Sequence, residues 1–96
     1  MPAGSVVCHF GAGRYSLKIC PRLSGSRIIR VDVDIPGLRS NTGRCRVAAD
    51  GVALPFRDYL FDVVMADNVL EHLEHPQAVL QEIARSLKPD GAFVFL

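Results

Sequence analysis

The chain has 96 residues, of which 49% are apolar, and its formal net charge at pH 7 is +1. This length predicts one domain over residues 1–96, and the apolar fraction predicts a packed core. The near-neutral charge excludes a basic field for nucleic acid, and no run approaches the ~20 apolar residues of a membrane span. The N-terminus lacks a basic segment followed by an apolar stretch, so we predict no signal peptide and expect a cytoplasmic protein.

The three cysteines, Cys8, Cys20 and Cys45, contain no Cys-x-x-Cys pair. An odd number of cysteines without that spacing argues against a disulfide framework. We therefore expect all three to be buried as small apolar side chains.

The first predicted strand, Ser5–Phe10, is apolar and runs into a glycine turn at Gly11-Ala12-Gly13. Glycine lets backbone amides approach a ligand, although Gly-x-Gly alone is a weak signal for a nucleotide site. A weaker helix is predicted over Tyr15–Leu23, where Pro21 limits its length. The next predicted strand, Ser26–Val33, is again apolar for most of its length and leads into acidic residues.

The rest of the chain alternates short apolar segments with turn-rich ones. The segment Pro36–Gly43 is too short for more than a helical turn. The clearest helix is Pro76–Lys88, because proline suits a first turn, its apolar residues recur at helical spacing, and Pro89 stops it. Three further strands complete the pattern: Arg44–Ala49, Phe61–Ala66 and Ala92–Leu96.

Strands that are apolar throughout are typical of a parallel sheet covered on both faces. With right-handed crossovers, these elements predict an α/β fold with strand order 3-2-1-4-5 and a ligand site at the switch point between strands one and four. The return segment Asp50–Leu60 has no helical pattern. At ~3.3 Å per residue its length still suffices to cross the sheet as an extended loop. Leu54-Pro55-Phe56 would hold that loop against the sheet.

Acidic residues follow the second and third strands. Asp34 lies 21 positions after Gly13, near the spacing expected for an acid that accepts hydrogen bonds from ribose hydroxyls. Asp32 should point to the same side of the strand and is an alternative acceptor. Glu71, His72, Glu74 and His75 do not have the spacing of a zinc hydrolase, so they favour a solvated loop entering a helix.

Taken together, these motifs resemble the class I, Rossmann-like S-adenosylmethionine-dependent methyltransferases over nearly the whole chain. The resemblance implies S-adenosylmethionine as cofactor and a small-molecule methyl acceptor. It implies that Asp50 accepts a hydrogen bond from the adenine amino group and that the Gly51 amide lies beside the ring. Ala66 and Asp67 would face the sulfonium and amino acid end. The implied cofactor-binding residues are Gly11, Ala12, Gly13, Asp34, Ile35, Asp50, Gly51, Ala66 and Asp67; the catalytic residues stay unassigned, with His72 a weakly supported base, and no metal is implied.

The chain departs from this pattern at His9, where the family usually has an acid, and at Tyr15, where it usually has a third glycine. It also ends where the family fold adds two further strands, so we expect a partial domain that self-associates through the edge Ala92–Leu96 or is only marginally stable. Two other functions stay open. One is a nicotinamide-dependent oxidoreductase, and the other is a non-catalytic binding module derived from a methyltransferase.

Overall fold

The computed structural model describes residues 4–11, 27–40, 45–66 and 73–95. The predicted helix over Tyr15–Leu23 and the cysteine at position 20 lie outside these residues. The described elements are β1 (Val6–Phe10), β2 (Arg27–Asp32), α1 (Ile35–Ser40), β3 (Cys45–Ala48), β4 (Phe61–Ala66), α2 (Pro76–Ser86) and β5 (Leu87–Phe95). Neither of these helices has the length and apolar character needed to cross a bilayer.

The described strands form one parallel sheet in the order β3-β2-β1-β4-β5. Strand β4 pairs with β1, with Phe10 opposite Ala66. The predicted fold class and strand order are therefore confirmed. The order places a switch point between β1 and β4, since the chain turns in opposite directions on either side of it.

The main core lies between one face of the sheet and helix α2. The almost fully buried side chains of this core include Cys8, Phe10, Val31, Val64, Val79 and Ile83. On β3, Arg46 points to the opposite face from Val47, and its Nη1 donates to the Leu38 carbonyl of α1 at 3.0 Å. The two helices thus cover opposite faces, as a three-layer α/β fold requires.

The connection from β3 to β4 crosses the sheet without a helix, as predicted. Leu54 is buried in the main core. The Phe56 and Phe61 rings meet edge to face, with their centroids 5.0 Å apart. Edge-to-face pairs of this kind stabilise a fold by about 0.5–1.5 kcal/mol beyond their burial. The prediction that Leu54-Pro55-Phe56 holds the loop against the sheet is therefore confirmed for Leu54 and Phe56.

The structure corrects three expectations. Helix α2 ends at Ser86, and Leu87–Phe95 is a strand with a register shift between Phe61 and Val63. The residue before a proline is disfavoured in a helix, so Lys88 cannot extend α2, and Leu87 pairs with Phe61 instead. The segment predicted as at most a turn forms the six-residue α1. Cys8 is buried as expected, but Cys45 is exposed because it lies on edge strand β3.

Candidate functional site

The carboxyl ends of β1, β2 and β3 open into a cavity of about 200 Å³. Ligands of open parallel sheets bind beyond this edge, next to the switch point. The wall combines apolar side chains, two glycines, carboxylates and one histidine. Its described lining consists of Phe10, Gly11, Asp32, Val33, Ala49, Asp50, Gly51, Val52, Leu73, Glu74, His75 and Val79.

Gly11 turns the chain sharply at the end of β1. Its φ of 76° lies in the left-handed region that glycine adopts without a steric penalty. Its N–H donates to the Val31 carbonyl at 2.8 Å, which ties the turn to β2. Gly11 thus forms part of the cavity wall, and its binding of a ligand stays a prediction. Ala12 and Gly13 lie outside the described residues.

The two acids after β2 have different surroundings. Asp34 is the N-cap of α1: its Oδ1 accepts from the Gly37 N–H at 3.1 Å, and its carbonyl accepts from Leu38 N–H. Asp32 lines the cavity, and its Oδ1 accepts from the Asp34 N–H at 3.0 Å. The geometry therefore favours Asp32, the alternative weighed from the sequence, as the acid facing a ligand. Asp34 and Ile35 do not contribute to the described lining.

Asp50 and Gly51 lie at the end of β3, on the cavity wall. The Asp50 Oδ1 accepts from the Val52 N–H at 3.1 Å, which orients the carboxylate. Gly51 is buried against β1 and α2. A Cβ there would lie 2.5 Å from the Phe10 Cζ and 3.0 Å from the Val79 Cγ1. Only glycine therefore lets the backbone lie this close to the core.

The predicted role of Ala66, at the end of β4, stays a prediction. Ala66 is buried and pairs with Phe10 and Phe95, and it does not contribute to the described cavity lining. Asp67, Glu71 and His72 lie outside the described residues.

Sequence reasoning missed the contribution of the segment before α2. Leu73, Glu74 and His75 line the cavity, and both polar side chains are exposed, as a solvated loop predicts. No cluster of metal-ligating side chains occurs within the described ranges. Their place in the cavity wall could have been suspected from the sequence, because these residues directly precede the clearest predicted helix.

Cys8, two residues before Phe10 of the cavity wall, is buried and is not a nucleophile. Burial raises the pKa of the Cys8 thiol to about 12, so it stays protonated at neutral pH. The reactive form of cysteine is the thiolate. The described site therefore offers binding groups rather than a covalent catalyst.

A parallel sheet in this order, with a glycine turn after β1, acids after β2 and β3, and a cavity beside the switch point, is the arrangement of the Rossmann-like fold. The family model described as "Methyltransferase domain" matches residues 8–95. The chain therefore belongs to the class I S-adenosylmethionine-dependent methyltransferase family.

Individual relatives agree with this assignment. An uncharacterized methyltransferase of Mycobacterium leprae is 32% identical to this chain, and the aligned region covers 97% of this chain and 37% of the relative. A demethylmenaquinone methyltransferase of Mycolicibacterium paratuberculosis is 31% identical, over 95% of this chain and 40% of its own. The chain thus spans about two fifths of the length of these curated relatives.

Among solved structures, the complex between the Haloferax volcanii Trm112 methyltransferase activator and a methyltransferase contains a similar chain. The two chains are 28% identical and superpose with a TM-score of 0.83 over 97% of this chain and 46% of the other.

Proposed function

We propose that this chain is the cofactor-binding part of an S-adenosylmethionine-dependent methyltransferase and that its cavity holds the adenosine end of the cofactor. The lining of the cavity is the observation that carries the proposal. It combines apolar walls with carboxylates at the ends of β2 and β3, and it contains no lysine or arginine within the described segments. Adenosine presents donors in its ribose hydroxyls and its amino group, and carboxylates accept from such donors.

The size of the cavity also suits one end of the cofactor. About 200 Å³ is less than the roughly 300–1,000 Å³ of pockets that bury a whole drug-sized ligand. Val33 and Val52 line it while 65% and 40% exposed. A planar base would cover these two side chains and remove apolar surface from water. The Asp50 carboxylate and the Gly51 amide would then meet the edge of the base.

The ribose is assigned to Asp32, since this acid lines the cavity whereas Asp34 caps α1. The sulfonium and amino acid end is assigned to Ala66 and Asp67, as the resemblance implies, and the adenosine is assigned a place over the Gly11-Ala12-Gly13 turn. His9 stands where the family usually has an acid, and a neutral histidine supplies no negative charge to an ammonium. We therefore expect weak cofactor binding.

When bound, the cofactor supplies an activated sulfonium methyl group. The chain needs only to bind and orient it and to exclude water. We assign a small organic molecule as the acceptor, in line with the relative that is named a demethylmenaquinone methyltransferase.

The described lining argues against the nicotinamide alternative. A dinucleotide carries a pyrophosphate, which cations or oriented N–H groups stabilise. The described wall instead contains a further carboxylate, Asp50, that a nicotinamide site does not need, and Tyr15 stands where that class has its third glycine. The non-catalytic alternative, binding without methyl transfer, stays open because His9 replaces the usual acid.

Calorimetric titration with S-adenosylhomocysteine tests the proposal, with Asp32→Ala and Asp34→Ala as a matched pair. A hydrogen bond to a charged group contributes about 1.5–3 kcal/mol, so Asp32→Ala should weaken binding by about 10- to 100-fold. Loss of an N-cap costs about 0.5–2 kcal/mol, so Asp34→Ala should lower the melting temperature and leave the dissociation constant nearly unchanged.

Two outcomes would contradict the proposal. If the wild type does not bind at millimolar ligand, the cavity is not an adenosine site. If Asp34→Ala loses binding and Asp32→Ala keeps it, the sequence-based choice of Asp34 is right and the assignment made from the structure is wrong.

A further inference from the structure

The loop that carries Asp50 and Gly51 runs along helix α2, and successive loop residues contact successive turns of the helix. Gly51 lies against Val79, because a Cβ at position 51 would meet the Val79 Cγ1 at 3.0 Å. Leu54 contacts Glu82, whose Oε1 accepts from the Leu54 N–H at 2.9 Å. At the far end, the N–H groups of residues 59 and 60 donate to the carbonyls of residues 85 and 86, at 3.1 and 2.8 Å.

Arg85 makes the densest contacts between the helix and the loop. Its Nη1 donates to the Phe56 carbonyl at 2.7 Å and to the Asp58 Oδ1 at 2.8 Å. Its Nη2 donates to the Leu54 carbonyl at 3.1 Å and to the Glu82 Oε1 at 3.3 Å, and its Nε donates to the Glu82 Oε2 at 2.8 Å. One planar guanidinium therefore holds three residues of the loop.

Glu82 completes the arrangement from the same face of the helix. Its carboxylate accepts from both Arg85 and the Leu54 N–H, so both backbone polar groups of Leu54 are bound by this pair. Two hydrogen bonds hold the pKa of Glu82 below its usual range. The one from Arg85 has the larger effect, and the one from the Leu54 N–H has the smaller. Leu54 lies only three residues after Gly51, and the Ala53 N–H donates to the Asp50 carbonyl at 3.0 Å.

We infer that Arg85, together with Glu82, is the positioning residue for the adenine-recognising edge of the cavity. It acts through the loop: the guanidinium fixes residues 54–58, the turn at residues 50–53 follows, and the Asp50 carboxylate is thereby held at the cavity wall. The inference rests on the proposed function, because it assigns a purpose to Asp50 within that site.

The side chain is suited to this role. Arginine presents its donors in a rigid planar fork, whereas lysine is a flexible point charge with three donors on one nitrogen. Arg85→Lys keeps the charge but cannot reach the separate acceptors at residues 54, 56, 58 and 82 together. The loop and the Asp50 carboxylate should then have more freedom, with little change in the charge of the site.

The experiment compares two ligands, S-adenosylhomocysteine and S-inosylhomocysteine. They differ at C6 of the base, where an amino donor is replaced by a carbonyl acceptor, and at the adjacent N1, which changes from an acceptor to an N–H donor. The Asp50 carboxylate would then face a carbonyl, and the Gly51 amide would face an N–H group. A carboxylate held at that edge should favour the adenine ligand by about 10-fold, the effect of leaving one polar partner unpaired. We expect this ratio of dissociation constants to fall toward 1 in Arg85→Lys.

The ratio separates positioning from a general loss of stability. A partly unfolded protein binds every ligand more weakly by the same factor, the folded fraction, so the ratio of the two constants does not change. Arg57→Lys is the matched control, since Arg57 is exposed on the same loop and its Nη1 contacts only neighbouring carbonyls. It should keep the wild-type ratio.

If circular dichroism shows that Arg85→Lys is unfolded, Glu82→Gln is tested in its place. The amide oxygen can still accept from the Leu54 N–H, but the charge that orients Arg85 is lost. A reduced ratio in the folded variant supports the inference, and a wild-type ratio overturns it. Failure of the wild type to bind either ligand refutes the proposed function, whereas equal binding of both by the wild type refutes the role of Asp50 and this inference alone.

Discussion

The close approach of Gly51 to the core makes Gly51→Ala the sharpest test of how the site is built. An alanine Cβ would lie 2.5 Å from the Phe10 Cζ and 2.9 Å from its Cε2. The Phe10 ring is 4% exposed and belongs to the main core. Either the ring moves into the cavity that it lines, or the backbone at residue 51 shifts.

The expected cost follows from overpacking. Forcing an extra carbon into a packed core costs about 1–3 kcal/mol, and each 1 kcal/mol lowers the melting temperature of a domain of this size by about 4–8 °C. Thermal denaturation followed by circular dichroism should thus show a fall of at least about 4 °C. Titration should also show weaker binding of S-adenosylhomocysteine, because the neighbouring Asp50 moves with the backbone.

A second substitution shows whether the Phe10 ring is the cause. Phe10→Leu removes the ring carbon nearest to the new Cβ and is destabilising by itself. Residues in contact couple by about 0.5–3 kcal/mol in a double-mutant cycle. Gly51→Ala should therefore cost less in the Phe10→Leu background than in the wild type. A Gly51→Ala variant that melts and binds like the wild type would refute this account of the packing.

Two further predictions concern stability and association. The Asp62 carboxylate accepts from the Val6 N–H at 2.9 Å and from the Lys88 Nζ at 3.1 Å. Both hydrogen bonds lower the pKa of Asp62 from its ordinary 3.8, and the one from Val6 has the larger effect. A carboxyl group whose pKa is lower in the folded than in the unfolded protein stabilises the fold at pH values above its unfolded pKa. The stability of the wild type should therefore fall as the pH drops below about 4. The urea midpoint of Asp62→Asn should change less over the same pH range. Val94 and Phe95 are 39% and 64% exposed on β5, and Val94→Lys should shift self-associated chain toward monomer in light scattering; a wild type that is monomeric at high concentration would contradict this.

The sheet was predictable because most of its strands contain a short apolar run between turn residues. Phe61–Ala66 was predicted to the residue. The end of α2 was not, because Leu87 continues the helical spacing. Its pairing with Phe61 across the sheet depends on a strand more than twenty residues earlier. Local periodicity contains no information about such a partner.

The position of the cavity was predictable, but the surroundings of the acids beside it were not. Asp32 and Asp34 lie two residues apart, so strand geometry alone places both on one side. A local cue was nevertheless present, since an aspartate shortly before Pro36 is typical of a helix N-cap. Arg85 could not be identified at all, because its loop acceptors lie 27–31 residues away along the chain.

A crystal structure of the chain with S-adenosylhomocysteine tests the central claim most directly. The account predicts the adenine between Val33 and Val52, with its amino group on Asp50. It also predicts a ribose hydroxyl at hydrogen-bond distance, about 2.5–3.0 Å, from an Asp32 carboxylate oxygen. A nucleoside bound away from the cavity at the ends of β1, β2 and β3, or a ribose held by Asp34 instead of Asp32, would contradict it.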